Sequence, residues 1–333
     1  MEKRFDVFGM CNALFDIQAE VDDDVLGELK LPKGTMMLLS EEEQRAIVPR
    51  VYTHIVNTEA GGSGANTMIG LALLGATACY TSRVGDDEHG QMYRDGLAQQ
   101  GVRPNLGVGT GETGISLILI TPDAQRTMGT FLGRSRDLRP EDVNLEDLRA
   151  SRYLYVTGYL WDTDNQKEAV LHAMREANRA GVKVALSLSD PFCVGRHKDD
   201  FLRLLRAHVD VVFANREEAQ ALTDTDTPEA AAGALAGYAD VAVVTLDADG
   251  SILRRGAEVH RIGAFPVHAV DTTGAGDMYA AGLLYGLARG LPLDVTGRIA
   301  SYAAAQVVAK LGPRLERLDA DEIARLQNGV GAP

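Results

Sequence analysis

Short apolar runs rich in β-branched and aromatic residues alternate with longer stretches in which apolar positions recur every three or four residues. The runs Phe5–Met10, Thr77–Val84, Tyr153–Val156, Val182–Leu188, Val209–Ala214 and Val241–Leu246 predict buried strands. Between them, Ser63–Leu74, Glu88–Gln100, Asn165–Ala180, Asp199–Ala207 and Glu217–Leu222 predict helices. The chain finishes with helical patterns over Ala275–Arg289, Val295–Leu311 and Asp319–Gln327. Strands alternating with helices predict parallel βαβ units, and so an α/β core with a sheet between helix layers. VDVVFA and VAVVTL are apolar at almost every position, as strands covered on both faces require. Two regions break the alternation. Leu14–Ser40 carries FDIQAEV and TMMLLS, and Gly114–Leu132 carries ISLILITP and RTMGTFLG. Both predict extra strands without crossover helices, the second pair a hairpin around Pro122–Asp123. A small β-sheet beside the core is expected, in a place that suits a lid.

The 333 residues allow two domains, or one large α/β domain with an insertion. A net charge of −14 argues against a broad nucleic-acid or anionic-membrane surface, because such a face needs clustered Lys and Arg. A local phosphate pocket built from backbone N–H groups stays open. Cys11, Cys79 and Cys193 are odd in number and form no CxxC pair, so neither a disulfide framework nor a structural zinc site is expected. MEKRFDVFGM lacks the apolar run of a signal peptide, and no stretch approaches the ~18 apolar residues of a membrane span. A cytoplasmic enzyme is the expectation.

Gly109-Thr-Gly111-Glu-Thr-Gly114 matches the letters of a dinucleotide fingerprint, but ISLILI follows it. The fingerprint needs a helix there, so a Gly-rich turn is the better account. The chain has no GK dipeptide, HExxH or GxSxG, which removes P-loop, zinc-protease and α/β-hydrolase readings.

Asp271-Thr-Thr-Gly-Ala-Gly-Asp277 precedes the apolar helix MYAAGLLYGLARG. Its small residues let backbone N–H groups turn toward an anion at a helix N-terminus, where the dipole favours negative charge. Asp277 then sits where a carboxylate can take a proton from an alcohol attacking a phosphoryl group. An ordinary helix start, capped by Thr272 or Thr273, fits the same letters. Gly61-Gly-Ser-Gly-Ala-Asn66 leads into another helix: its glycines admit a substrate to the backbone, and Asn66 offers a donor and an acceptor. A tightly packed β–α turn is the alternative. Asn12 and Asp16 leave the end of the first predicted strand, where α/β sheets bind ligands and a carboxylate can hold a vicinal diol; taken alone, the segment fits turn residues at a strand end better.

Together these segments resemble the ribokinase-like (PfkB) family of carbohydrate and nucleoside kinases, over nearly the whole chain. GGSGANT…GLALLGA…RVGDDEHG is similar to the family's first signature, and DTTGAGDMYAAGLL to its second. The opening FGMCNALFDIQAEVDDDVL resembles the adenosine kinase branch. The resemblance implies a ribokinase-like three-layer αβα core with a mainly parallel sheet and a small β-sheet lid. The core is expected over 1–13, 41–108 and 134–333, and the lid over 14–40 and 109–133. It implies Asp277 as the base and Gly274, Ala275 and Gly276 as the anion hole. Asn12, Asp16, Gly61, Gly62 and Asn66 are implied as the sugar-binding set.

Asn215-Arg-Glu-Glu218 is similar to the family's Asn-x-x-Glu element, which implies that Glu218 orders magnesium through water and that Asn215 serves the nucleotide. Thr245 and Gly250 resemble the nucleotide loop, with Asp247 where the family usually has Gly. Arg126 resembles a lid arginine reaching the transferring phosphate; a plain surface arginine is the alternative. Phe15, Met36, Leu38, Phe131, Tyr159 and Trp161 are candidates for an apolar purine slot, with Tyr159 as the stacking residue and core packing as the other account.

The implied cofactors are ATP and Mg²⁺, with a monovalent cation such as K⁺ as a further candidate. The implied partner is a small-molecule nucleoside or sugar, without nucleic acid or membrane, and the protein is a monomer or a homodimer through the lid. The expected activity is phosphorylation of the ribose 5′-hydroxyl of a purine nucleoside, adenosine first, as in purine salvage. The alternatives are a kinase for ribose, fructose or a related sugar, and a catalytically idle nucleoside-binding protein, against which the intact DTTGAGD argues.

Overall fold

The computed structural model describes residues 3–123 and 125–329; the remaining residues of the expected core and lid ranges lie outside it. Among the described residues, fourteen strands are formed. They are β1 (Phe5–Met10), β2 (Leu14–Glu20), β3 (Met36–Leu38), β4 (Ile55–Gly61), β5 (Ala78–Gly85), β6 (Val102–Gly109) and β7 (Gly114–Ile120). There follow β8 (Arg126–Phe131), β9 (Ser151–Thr157), β10 (Lys183–Ser187), β11 (Val211–Asn215), β12 (Val241–Thr245), β13 (Ser251–Arg255) and β14 (Glu258–Ile262). Nine of them form one sheet in the order β14-β13-β12-β11-β10-β9-β1-β5-β6, parallel except for the β12–β13–β14 meander.

Alternation along each strand explains the layering. On β1, Val7 joins one apolar cluster and Phe8 the other; on β11, Val211 and Phe213 face one cluster while Val212 and Ala214 face its opposite. The first cluster is completed by the helices Ser63–Leu73, Ala275–Ala288 and Leu293–Val308, the second by Asp164–Arg179, Pro191–Ala207, Arg216–Thr223 and Pro228–Leu235. This is the expected three-layer α/β architecture.

The remaining strands form a five-stranded sheet, β3-β8-β7-β2-β4. Here β7 and β8 are the antiparallel hairpin that the sequence predicts, while β2 runs parallel to β7 and β3 parallel to β8. Phe15, Ile17, Leu117 and Leu119 place this sheet in the same apolar cluster as one face of the core.

Three expectations change. The range 41–108 cannot all be core, because β4 pairs with β2 in the small sheet and the Glu41–Val51 helix packs on β8. Leu14–Ser40 is not free of helix, since Asp23–Leu29 is helical between β2 and β3. Helix Asp199–Ala207 begins earlier, at Pro191, with a break at His197 (φ −126°, ψ 22°), and that added first half reaches the site. The edge strand β6 was hidden by its composition: VRPNLGVG has the proline and glycines that only an edge tolerates.

Candidate active site

The carboxyl ends of β1 and β9 open into a cavity of about 530 Å³ that the small sheet roofs. Asn12, just past β1, lines it. Its Oδ1 accepts from Gln166 Nε2 at 2.7 Å, and its backbone oxygen accepts from the Tyr80 hydroxyl at 2.9 Å. Asp16 enters on β2 directly opposite Glu59 on β4, and its carboxyl occupies the space above Gly61. A Cβ at position 61 would lie 2.0 Å from the Asp16 carboxyl carbon, so only glycine fits there. Asp16 is 4% exposed, and burial, aided by Glu59 and Asp277 and opposed by Arg314, pushes its carboxyl up to about 7.

Asp277 stands in the first turn of the Ala275–Ala288 helix. Two residues of the Ser63–Leu73 helix meet it: Ser63 Oγ donates to Oδ1 at 2.5 Å and Asn66 Nδ2 to Oδ2 at 3.0 Å. Burial raises the Asp277 carboxyl above the ordinary carboxylate range, and these two bonds and Arg314 work against that rise. Behind Asn66, Arg314 Nε donates to Asn66 Oδ1 at 2.9 Å and Nη1 lies 3.4 Å from Glu59.

The loop before this helix is shaped by one carboxylate. Asp271 accepts from the N–H groups of Thr273 at 3.0 Å and Gly312 at 2.8 Å, and it pairs with Arg126 at 2.5 Å. Gly274 caps the helix at φ +80°, and a Cβ there would lie 2.5 Å from the Pro313 carbonyl oxygen. Among the described residues, the N–H groups of Gly276 and Asp277 have no partner, and the space beside Gly276 is open. A second cleft of about 300 Å³, lined by Arg126 and 269–273, meets the main cavity at Thr273. Both Arg126 terminal nitrogens lack a hydrogen bond of good geometry. Unpaired donors at a helix N-terminus, open space beside Gly276 and an arginine lining the adjoining cleft fit a phosphate group.

Residues 35–320 match the model of the pfkB family carbohydrate kinases. The chain belongs to that family. A probable sugar kinase from Rhizobium etli CFN 42 superposes with a TM-score of 0.89 at 36% identity, over 98% of this chain and 99% of that one. The adenosine kinase from Sinorhizobium meliloti gives 0.86 at 39%, over 97% and 99%. Among curated relatives, the 5-dehydro-2-deoxygluconokinase of Shouchella clausii (strain KSM-K16) is 27% identical over 320 residues, 92% of this chain and 91% of that protein. Adenosine kinases and sugar kinases of the pfkB family are therefore both similar to this chain. Among the described residues, no helix is long and apolar enough to cross a membrane.

Against this pfkB frame, Asn12, Asp16, Gly62, Asn66, Tyr159 and Asp277 line one cavity. Asn215, Glu218, Thr245 and Gly250 line neither cleft. Asn215 and Thr245 are register partners at the ends of β11 and β12. Asn215 and Glu218 are occupied with each other: Asn215 Oδ1 accepts from the Glu218 N–H at 2.8 Å, and Glu218 Oε2 accepts from the Asn215 N–H at 3.1 Å. Burial pushes the Glu218 carboxyl up to about 7. Asp247 takes φ +53°, a left-handed conformation that aspartate bears better than most residues.

The apolar slot needs correction. Met36, Leu38 and Tyr159 line the cavity, but Phe15, Phe131 and Trp161 are packing residues. Phe15 lies against His89 with centroids 4.8 Å apart, and Trp161 Nε1 donates to Asp200 at 2.8 Å. Residues absent from the sequence expectation complete the wall: Ile118, Met128 and Leu132 from the hairpin, and Phe192 from the unforeseen start of the Pro191–Ala207 helix. Ser63 was legible within GGSGANT, whereas nothing in LGPRL marks Arg314.

Two outcomes follow from this geometry. Phe15→Ala is expected to cost ~3–5 kcal/mol in denaturant unfolding without changing ligand affinity of the folded protein; unchanged stability with lost binding would return Phe15 to the slot. Asp16 and Glu218 hold protons up to about 7 in the folded chain but only to about 4 when unfolded. Folded protein thus binds more protons in that window, and these two groups make stability fall as pH rises through it. Asp16→Asn with Glu218→Gln flattens that fall, read from unfolding curves at both ends of the window; identical slopes would contradict the assignment.

Proposed function

We propose that this pfkB kinase transfers the γ-phosphoryl group of ATP to the 5′-hydroxyl of a purine nucleoside, adenosine first. The observation that carries this is the mixed lining of the cavity. Asn12, Asp16, Asn66 and Asp277 offer polar groups, while Met36, Leu38, Ile118 and Met128 of the small sheet, with Leu132 and Phe192, offer apolar surface beside Ser116 and Thr130. Asp16 would take the ribose diol, and the apolar wall would take a base, with Tyr159 and Phe192 as the aromatic faces.

Charge points the same way. The lining carries Asp16, Asp162, Asp190 and Asp277 against Arg196 alone, and Arg196 is already paired with Asp162 at 3.0 Å. A substrate carboxylate would enter this cavity without a free counter-charge. The sugar acid in the name of the Shouchella clausii relative fits it less well than a neutral nucleoside. A sugar-kinase reading nevertheless keeps support from that relative and from the Rhizobium etli protein.

The Gly274–Asp277 turn and Arg126 would hold the phosphate end of ATP. ATP supplies the transferable phosphoryl group, and Mg²⁺ spreads its charge. Among the described residues, no three His, Cys, Asp or Glu side chains cluster to hold a metal; Glu218 would meet magnesium through water, as the likeness of Asn215–Glu218 to the family's Asn-x-x-Glu element implies. Asp277, aligned by Ser63 and Asn66, accepts the hydroxyl proton as the new oxygen–phosphorus bond forms and the bond to the leaving phosphate breaks. Its raised carboxyl makes it a better base than an exposed aspartate. The unpartnered N–H groups of the turn stabilise negative charge on the transferring oxygens, and the small sheet acts as a lid that excludes water.

Steady-state kinetics on adenosine, ribose, fructose and 5-dehydro-2-deoxygluconate tests the substrate. Adenosine should lead by ~10³ in kcat/KM, about 4 kcal/mol; a free sugar or sugar acid matching it would promote the sugar-kinase reading. Asp277→Asn should lower kcat by ~10²–10⁴ with nucleoside affinity within a few-fold. More than a tenth of wild-type kcat in the folded variant removes Asp277 as base.

A further inference from the structure

Arg314 belongs to no motif and lines neither cleft, yet it joins three parts of the site. It leaves the chain just after Gly312, whose N–H binds Asp271, and Pro313, whose carbonyl packs on Gly274. Its side chain is 12% exposed and reaches Asn66 on one side and Glu59 of the small sheet on the other. The bond to Asn66 has a directional consequence. A side-chain amide is nearly symmetric in shape but not in chemistry, and a guanidinium N–H can face only its oxygen. With Oδ1 held by Arg314, Nδ2 must point away, and it points to Asp277. Without Arg314 the amide can turn over and set its oxygen against the carboxylate.

The second contact concerns charge. Asp16 and Glu59 are directly opposed on antiparallel strands, a repulsive arrangement for two carboxylates. Arg314 is the cation placed against both. The ionisable groups facing Asp277 are Asp16 on β2, Cys11 after β1, Tyr155 on β9, Tyr159 after it, and Arg314; Arg126 faces Asp16, and Tyr93 lies beside Arg314.

We propose that Arg314 is a positioning residue for phosphoryl transfer, fixing the Asn66 amide with its NH₂ toward Asp277 and bringing positive charge to the Asp16–Glu59 pair and to Asp277. The proposal rests on Asp277 acting as base, but not on which alcohol is phosphorylated. Removing the positive charge favours protonated Asp277. A base works deprotonated, so activity would be lost at a higher pH as pH falls.

The test is the pH profile of kcat and kcat/KM for wild type, Arg314→Met, Arg314→Gln and Arg314→Lys, on whichever alcohol the wild type phosphorylates. Arg314→Met should lower kcat by ~10² and move the acid limb up by about one pH unit. Arg314→Gln, neutral but able to donate to Asn66, should recover most of kcat and keep the shifted limb; it also decides the matter if the Met variant does not fold. Arg314→Lys should return the limb to its wild-type place. Because Arg314 acts through Asn66, adding Arg314→Met to Asn66→Ala should cost less than ~3-fold in kcat. An unshifted limb in the neutral variants, or kcat losses that multiply in the double variant, overturns the proposal. Failure of the nucleoside reading shows instead in the wild-type substrate panel, and failure of the base in Asp277→Asn.

Discussion

Two carboxylates withdrawn from bulk water into one cavity, Asp16 and Asp277, set the demand that the surrounding structure meets. A buried carboxylate rises in pKa until it gives up its charge, unless hydrogen bonds or a cation hold it ionised. Asp277 has two donors, Ser63 and Asn66, and a guanidinium behind them. Among the described residues Asp16 has no comparable pair of donors, and it lies opposite Glu59; its carboxyl is displaced to about 7. The two groups thus differ by environment, and the difference matches the proposed division of work: a fixed proton acceptor, and a hydrogen-bonding group waiting for a diol.

Meeting that demand takes residues from distant parts of the chain. The carboxyl edge of the parallel sheet supplies Asn12, and one helix start supplies Ser63 and Asn66. Another helix start supplies Asp277, and the loop after Val308 supplies Arg314. Asp271 then binds that last loop to the Gly274 turn, while Arg126 ties the small sheet to the same carboxylate. The small sheet shares the apolar cluster of the core, so the roof of the cavity is packed on the layer that holds its floor.

Much of this was legible in the chain. Apolar strands of the main sheet announce themselves because both faces are buried, and the glycine-rich helix starts carry residues whose chemistry needs that geometry. Other parts were silent for physical reasons. β6 looks like a loop because edge strands admit Pro104 and glycines, and β4 carries three exposed positions that blur its alternation. Phe15 and Trp161 look like ligand residues because an aromatic side chain has the same letter in a core as in a slot. Phe192 was missed because the break at His197 divides one helix into two patterns. Arg314 has no local signature, since its meaning lies in Asn66 and Glu59, both more than 240 residues away.

In the proposed reaction the acceptor hydroxyl meets Asp277 while the phosphate end of the donor meets the Gly274–Gly276 turn. A crystal structure of the protein with adenosine and a non-hydrolysable ATP analogue tests it most directly. The expected result is the ribose 5′-oxygen within about 3.2 Å of an Asp277 carboxylate oxygen, the ribose diol on Asp16 and the terminal phosphate at the N–H groups of the turn. A nucleoside bound with its 5′-oxygen turned away from Asp277, or a terminal phosphate held elsewhere, would contradict it.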